Sequence, residues 1–160
     1  MGDLSEFSKA VQSYLRGYRW RRIDPIPWSP LSKPLSKCKV ALISSAGFIT
    51  PEQAPFDDSI RGGDSSFREI PQEIDPATLR DAHRSDAFDH SGIECDPNLA
   101  FPLAPLRALC DAGRLGSLNH RHFSFMGSIT APGRFVKKTA PAAVAGLVSD
   151  EVDVALLVPV

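Results

Sequence analysis

The sequence predicts an α/β protein built on an incomplete parallel sheet, and two observations indicate this class. Residues 152–158, Val-Asp-Val-Ala-Leu-Leu-Val, are a nearly continuous apolar run, which is typical of a strand buried on both faces of a parallel sheet. Residues 141–148 before it have a helical pattern, and a helix followed at once by a strand is half of a β-α-β unit. Ligands in such sheets bind beyond the carboxyl ends of the strands, so we expect chemistry next to Val160.

The N-terminal residues predict an amphipathic helix followed by a proline-rich arm. Apolar residues recur at spacings of three and four over residues 4–18, with Asp3 as the N-cap and Glu6 in the reciprocal position. Prolines crowd residues 24–31, and because each lacks an amide hydrogen this stretch should be extended. We expect residues 1–35 to form this helix and arm, with the arm docked on the domain or, alternatively, recognised by another protein. Residues 36–160 then form the α/β domain.

The first strand of that domain is predicted at residues 39–43, and it runs into a turn of small residues. Ser44, Ser45 and Gly47 would leave backbone amides accessible, which makes them candidate substrate-binding residues. The alternative is a tight strand exit, since no GxGxxG motif is present. Residues 50–102 form mostly loop, with a short strand at 67–70.

The remaining elements alternate between helix and strand. A short helix is predicted at Leu103–Asp111, with prolines tolerated in its first turn. Residues 120–127 alternate polar and apolar, as in a strand with one solvent face. Residues 134–148 are helical, with a break at Pro141 and with Thr139 as the cap of the second half.

Composition excludes several functional classes. The net charge of −1 gives no electrostatic basis for binding nucleic acid or an anionic membrane. No apolar run approaches the ~20 residues of a membrane span, and the acidic N-terminus does not resemble a signal peptide. The three cysteines have neither metal-type nor CxxC spacing, which favours a reduced, cytoplasmic protein.

Histidines provide the candidate chemistry. His83, Asp89 and His90 are close in sequence, and a histidine beside a carboxylate could transfer protons at neutral pH; loop-stabilising hydrogen bonds are the alternative. His120 and His122 would share one face of a strand, but a third ligand is not apparent, so we predict no metal site. His122 remains a candidate substrate-binding residue.

A series of short segments between residues 27 and 160 carries a resemblance. The segments are PWSPL (27–31), KVALISSAG (39–47), GDSSFREIP (63–71), DHS (89–91), FPL (101–103), LRAL (106–109), GSL (116–118), HFSFMG (122–127) and VDVALLVP (152–159). Their order is similar to that in the glycine/sarcosine/betaine/D-proline reductase selenoprotein B family, particularly in its short members. The order of the segments makes the resemblance specific, although each segment alone is only a weak indication of the family.

The resemblance implies a redox function. In that family, a selenocysteine or cysteine follows the strand that matches residues 152–158. It therefore implies no cofactor within the chain, a selenocysteine or cysteine just after Val160, and a sequence cut short at a UGA codon. A selenol is ionised at neutral pH and would attack an electrophilic substrate or exchange with a thiol. Asp89 and His90 would then handle protons, and the loop after residue 43 would form a binding wall.

The resemblance also bears on fold and partners. It implies a Rossmann- or flavodoxin-like sheet, a small-molecule substrate, and other reductase-complex or thiol electron-donor proteins as partners. A homo-oligomer is left open, and we expect the chain alone to associate through residues 152–158. The alternative is a non-catalytic binding subunit or interaction module that docks a partner enzyme. A selenocysteine insertion element after the stop codon supports the reductase, and its absence supports the alternative.

Overall fold

The computed structural model describes residues 3–18, 22–85 and 89–160, which belong to two compact units, residues 1–30 and 31–160. The sequence-based boundary, after residue 35, lies slightly later. The second unit is α/β with a mostly parallel sheet, as predicted. The helices are α1 Lys9–Gly17, α2 Ser91–Cys95, α3 Leu103–Asp111 and α4 Ala140–Ser149. The strands are β1 Lys39–Ser44, β2 Phe48–Ile49, β3 Phe67–Pro71, β4 Arg80–Asp81, β5 Ser117–Leu118, β6 Arg121–Phe125 and β7 Val154–Val158.

The first unit contains a helix that is shorter than predicted. Asp3 and Glu6 form the predicted reciprocal cap, but it begins a 3₁₀ turn rather than an α-helix. Phe7 is extended, and the Ser8 side chain then accepts a hydrogen bond from the Val11 N–H to start α1. Because Ser8 is a second N-cap, the pattern over residues 4–18 is divided in two. None of the helices within the described ranges is long and apolar enough to cross a membrane.

The second unit is organised around β1. This strand pairs in parallel with β5 and β6 along one edge and with β7 along the other, and β3 lies antiparallel beyond β6. Val40 pairs with Leu118 and Ile43 with Phe123, so the partner strand advances five residues while β1 advances three. The segments β5 and β6 are therefore one strand interrupted by extra residues.

A histidine side chain supplies a hydrogen-bond acceptor for β1 at this interruption. The Leu42 N–H of β1 donates to Nδ1 of His122 at 3.0 Å, in place of a backbone acceptor. His122 is fully buried, and β6 is buried from residue 122 to residue 125. The prediction of a solvent face on this strand is wrong, because β6 lies between β1 and β3 and apolar residues cover both of its faces.

Helices pack on the two faces of the sheet. On one face α3 covers a cluster of buried residues that includes Leu42, Ile70, Phe101, Leu103 and Leu106. On the other face α4 covers a second cluster, Ala41, Phe123, Phe125, Ala143 and Leu147. The range predicted for α3 is confirmed, since it begins at Leu103 and ends at Asp111.

The predicted break before α4 takes another form. A π-helical turn, Phe135–Thr139, runs directly into α4, and Pro141 lies in the first turn of that helix. Pro141 has no amide hydrogen to bond the preceding turn, and the wider π-helical turn just before it lets the chain stay helical. Thr139 is helical and its side chain caps nothing, so the helix changes pitch instead of breaking.

The last strand is an edge strand. Within the described residues, β7 pairs with β1 alone, and Leu157 is 65% exposed. The prediction that this strand is buried on both faces is wrong. Its apolar character is real, but α4 packs above β1 and β6 and leaves the outer part of β7 uncovered.

Candidate functional site

The order of the strands creates a crevice between β1 and β7. The chain leaves β1, returns in β6 on one side through α3, and then crosses through α4 to β7 on the other side. At such a reversal the connections diverge, so the carboxyl ends of the two strands border an open space. A cavity of about 330 Å³ lies there. Its walls are mainly apolar and include Ile43, Phe125, Ile129, Phe135 and Leu157.

Ser45 joins the two strand ends at the rim of this cavity. Its hydroxyl oxygen accepts a hydrogen bond from the Val160 N–H at 2.9 Å, and the hydroxyl lies 3.4 Å from the Val160 carbonyl oxygen. The Ser45 N–H donates to the Val158 carbonyl at 3.1 Å. Ser44 also lines the cavity, and its hydroxyl accepts from the Ala46 N–H within the turn. The loop after β1 therefore fixes the backbone that follows β7.

Two glycines let a histidine approach this rim. Gly47 has a φ of +70°, and a Cβ there would stand 2.9 Å from the His83 backbone. Gly127 has a φ of +76°, and a Cβ there would collide with the Ser45 carbonyl. That Cβ would also lie 3.1 Å from Nε2 of His83 and 3.2 Å from the Ser45 Cβ. These contacts leave no room for a side chain at residue 127, so Gly127 packs closely against Ser45 and His83.

His83 belongs to a closed ring of hydrogen bonds. Its backbone N–H donates to Oδ1 of Asp81 at 2.8 Å, and Oδ2 of Asp81 binds Nδ1 of His90. Nε2 of His90 lies 3.1 Å from the Ser85 carbonyl oxygen. The Ser85 N–H returns to Nδ1 of His83 at 3.2 Å. The ring fixes the orientation of both imidazoles.

The two histidines have opposite protonation tendencies. Both nitrogens of His90 face acceptors, so its charged form is favoured; the hydrogen bond to Asp81 is the main reason that its pKa is raised. Burial lowers the pKa of His83, and the positive charge of His90 adds to this effect while Asp81 opposes it. The ring centroids of these two histidines lie 5.9 Å apart.

The structure thus brings together His83 and His90, but the carboxylate between them is Asp81 and not Asp89. Oδ1 of Asp89 accepts hydrogen bonds from the N–H and hydroxyl of Ser91 at the start of α2, and these bonds lower the pKa of Asp89. Asp89 was the expected partner because it directly precedes His90 in the sequence. The spacing Asp-x-His at residues 81–83 was the available signal for Asp81.

His122 lies outside this group. It is 0% exposed in the core, and its Nδ1 is occupied by the Leu42 N–H, so it does not reach the cavity. Burial lowers the pKa of His122 to about 4. His120 has a side chain that is 67% exposed, so the two do not share a face. In the part of the chain that the structure describes, no cluster of three or more histidine, cysteine or acidic residues could hold a metal ion.

Comparisons with known proteins identify the family of this chain. The family model of glycine/sarcosine/betaine reductase selenoprotein B matches residues 10–159. The chain is 31% identical to the D-proline reductase subunit gamma of Acetoanaerobium sticklandii over 136 residues, covering 84% of this chain and 54% of that protein. It is 32% identical to the sarcosine reductase complex component B subunit beta of Peptoclostridium acidaminophilum over 117 residues, covering 69% of this chain and 25% of that protein. The chain therefore spans about half the length of the first relative and a quarter of the second. No solved structure matches the chain. The chain belongs to the glycine/sarcosine/betaine reductase selenoprotein B family.

Proposed function

We propose that this chain forms the substrate-binding part of a reductase subunit whose reactive selenol or thiol lies at the carboxyl end of β7. The observation that supports this most strongly is the cavity between β1 and β7, where ligands bind in open α/β sheets. A selenol there would supply a nucleophile that is ionised at neutral pH, whereas a thiol would need its pKa lowered by its surroundings. The residues of this chain bind the substrate and orient it towards that group.

The rim of the cavity fits a redox residue directly after Val160. Ser45 holds the Val160 backbone at the cavity, so the next residue would emerge beside Ser45 at the rim. The cysteines of the chain are poorly suited to the role. The thiol of Cys38 is buried and faces the Lys33 and Pro34 carbonyls, Cys95 is exposed on α2, and burial raises the pKa of Cys110. None of the three lines the cavity.

The cavity walls favour a small substrate with an apolar portion. Side chains such as Ile129 and Phe135 present apolar surface, and hydrogen bonds and charge interactions at the rim are stronger beside such surface than in water. We propose that reduction replaces a carbon–nitrogen bond of the substrate by a carbon–hydrogen and a nitrogen–hydrogen bond. This change consumes two electrons and two protons, and a dithiol donor protein that becomes a disulfide would supply the electrons.

The partners proposed for this chain are based on the names of its relatives. One is named as a subunit of D-proline reductase and the other as a subunit of a sarcosine reductase complex component. We therefore propose that this chain acts within a complex that includes other reductase subunits and a thiol electron donor. The exposed apolar residues of β7 and α4, including Leu157 and Val148, are suited to such contacts.

Filling the cavity tests the proposal. In the subunit carrying a cysteine or selenocysteine directly after Val160, Ile129→Trp should block the cavity and abolish dithiol-dependent release of amine from N-substituted amino acids. Leu99→Trp, at a side chain that is 66% exposed outside the cavity, is the matched control and should retain turnover. Unchanged turnover in the Ile129 variant would show that the reaction takes place outside this cavity. A complex without any reductive turnover would favour the non-catalytic binding subunit.

A further inference from the structure

We propose that a second cavity, beside the small sheet of β2 and β4, binds a small molecule that carries both a carboxylate and an ammonium group. The carboxylate of this zwitterion binds to Arg80 and Arg84, and its ammonium group binds to Asp58. The site goes beyond the proposed function, because binding there requires neither a redox residue nor reductive turnover.

The second cavity is formed by β2, β4 and the residues that follow each of these strands. Ile49 and Arg80 are paired across the two strands, so their side chains are neighbours on one face of this sheet. Ile49 and Phe56 pack with Met126 in a buried cluster, which gives the cavity one apolar wall. Its volume is about 270 Å³, close to the lower end of the range of about 300–1,000 Å³ for ligand cavities, so it suits a small molecule.

The cavity is a neighbour of the one between β1 and β7. His83 lines the second cavity and packs against Gly127, which lines the first. The two differ in the groups that they present. The walls of the first are mainly apolar, whereas the second is lined by two arginines and two aspartates. A charged ligand is therefore better matched to the second cavity.

The guanidinium groups at this cavity bind backbone carbonyls and not carboxylates. Nη2 of Arg80 donates to the Gln53 carbonyl at 3.2 Å, and Nη1 of Arg84 lies 3.4 Å and 3.3 Å from the carbonyls of Asp58 and Ile60. Within residues 3–18, 22–85 and 89–160, neither guanidinium has a carboxylate partner.

These contacts leave donors for a ligand. A guanidinium has five N–H groups in a planar fork, so Arg80 and Arg84 each retain donors beyond those that bind the loop. The bonds to the loop carbonyls also hold both side chains in place before a ligand arrives, which reduces the entropy lost on binding. Two guanidiniums at one cavity favour an anion, and the planar carboxylate matches their geometry.

Asp58 adds the opposite charge to the same cavity. Among the described residues its carboxylate has no hydrogen-bond or ion-pair partner. The other carboxylate of the lining, that of Asp81, is already bound by the His83 N–H and by His90. An unpaired carboxylate repels a simple anion and attracts a cation. The lining therefore selects a ligand that carries both charges.

Nitrogen-15 NMR of the arginine Nε–H groups tests occupancy in this chain without turnover. Glycine, β-alanine and γ-aminobutyrate carry both charges at increasing separation, whereas acetate carries only the carboxylate and methylamine only the ammonium group. At least one of the three amino acids should shift the signals of Arg80 and Arg84 saturably. Acetate should bind roughly two- to fivefold more weakly, as for loss of one exposed ion pair, and methylamine should not shift these signals. No saturable shift with any of the three amino acids would overturn the inference.

Arginine substitutions test the carboxylate contact. Arg84→Gln should weaken binding of the best amino acid about tenfold or more, as for loss of hydrogen bonds to a charged group. Because Arg84 also binds two loop carbonyls, Arg80→Gln, which gives up one, is the second variant and should show the same loss. Arg114→Gln, at an exposed arginine outside the cavity, is the matched control and should keep the affinity of the parent. Unchanged binding in both cavity variants would contradict the assignment.

Asp58→Asn tests the ammonium contact. Asp58 is exposed and its carboxylate has no partner among the described residues, so the variant should fold as the parent does. It should bind the amino acid roughly two- to fivefold more weakly and bind acetate at least as tightly as the parent. Asp111→Asn, at the exposed end of α3, is the control and should change neither affinity. Equal affinity of the Asp58 variant and the parent for the amino acid would show that the cavity does not recognise the ammonium group and would overturn the assignment of a zwitterion.

Discussion

His122 should make the stability of this protein fall between neutral and mildly acidic pH. Its folded-state pKa is about 4, against 6.5 for the ordinary side chain. Because the folded state disfavours the charged ring, the unfolded chain binds the extra proton first as the pH drops below 6.5. The free energy of unfolding therefore falls between pH 6.5 and 4, by about 3 kcal/mol in total, since each unit of pKa difference corresponds to about 1.4 kcal/mol. Urea unfolding at a series of pH values measures this loss.

His122→Asn isolates the contribution of this side chain. Asparagine can still accept the hydrogen bond from the Leu42 N–H, but it cannot ionise. Because asparagine is smaller than histidine, the variant should be less stable than the parent protein at neutral pH through lost packing. The difference in stability between the two proteins should shrink by about 3 kcal/mol as the pH falls from 7 to 4. His120→Asn, the same change at an exposed position, is the control and should leave the pH dependence nearly unchanged. Parallel pH profiles for the parent and the His122 variant would refute the reasoning.

Two further changes probe the rim and the edge of the sheet. Gly127→Ala forces a side chain into the left-handed region and against the Ser45 carbonyl, so urea unfolding should show a loss of at least about 1 kcal/mol. Gly17→Ala, where an added Cβ meets nothing within 4 Å, should cause no such loss. The chain alone should elute from a sizing column as dimers or larger species, and Leu157→Lys on the open edge should shift it towards monomer. Leu99→Lys, at a similarly exposed side chain, should not change the elution volume. A parent chain that elutes as a monomer would contradict the assignment of β7 as an open edge.

Sequence patterns predicted those elements that are determined by interactions between residues close together in the chain. The helix α3 has the predicted bounds because its prolines, leucines and following glycine specify both ends within a few residues. The strand β1 and the small-residue turn after it were also recognisable, since an apolar run and a cluster of small side chains need no distant partner. The rule that ligands bind beyond the carboxyl ends of parallel strands points to the same edge of the sheet at which the cavity lies.

Features that depend on distant residues were not predictable from patterns. The pairing of His90 with Asp81 joins residues nine positions apart across a loop, whereas the adjacent Asp89 bonds Ser91 instead. The role of His122 arises from an irregular register between β1 and its neighbour, which periodicity does not encode. The exposure of β7 depends on which elements cover it, and an apolar strand looks the same in sequence at the centre of a sheet and at its edge.

In the proposed function, reduction takes place beside β7, through a residue held directly after Val160. The most direct measurement compares dithiol-dependent release of amine by the complex carrying cysteine or selenocysteine at that position with the complex carrying serine there. The account predicts that turnover requires the thiol or selenol, because the Ser45 contact with Val160 directs that position to the cavity. Undiminished turnover in the serine variant would contradict it.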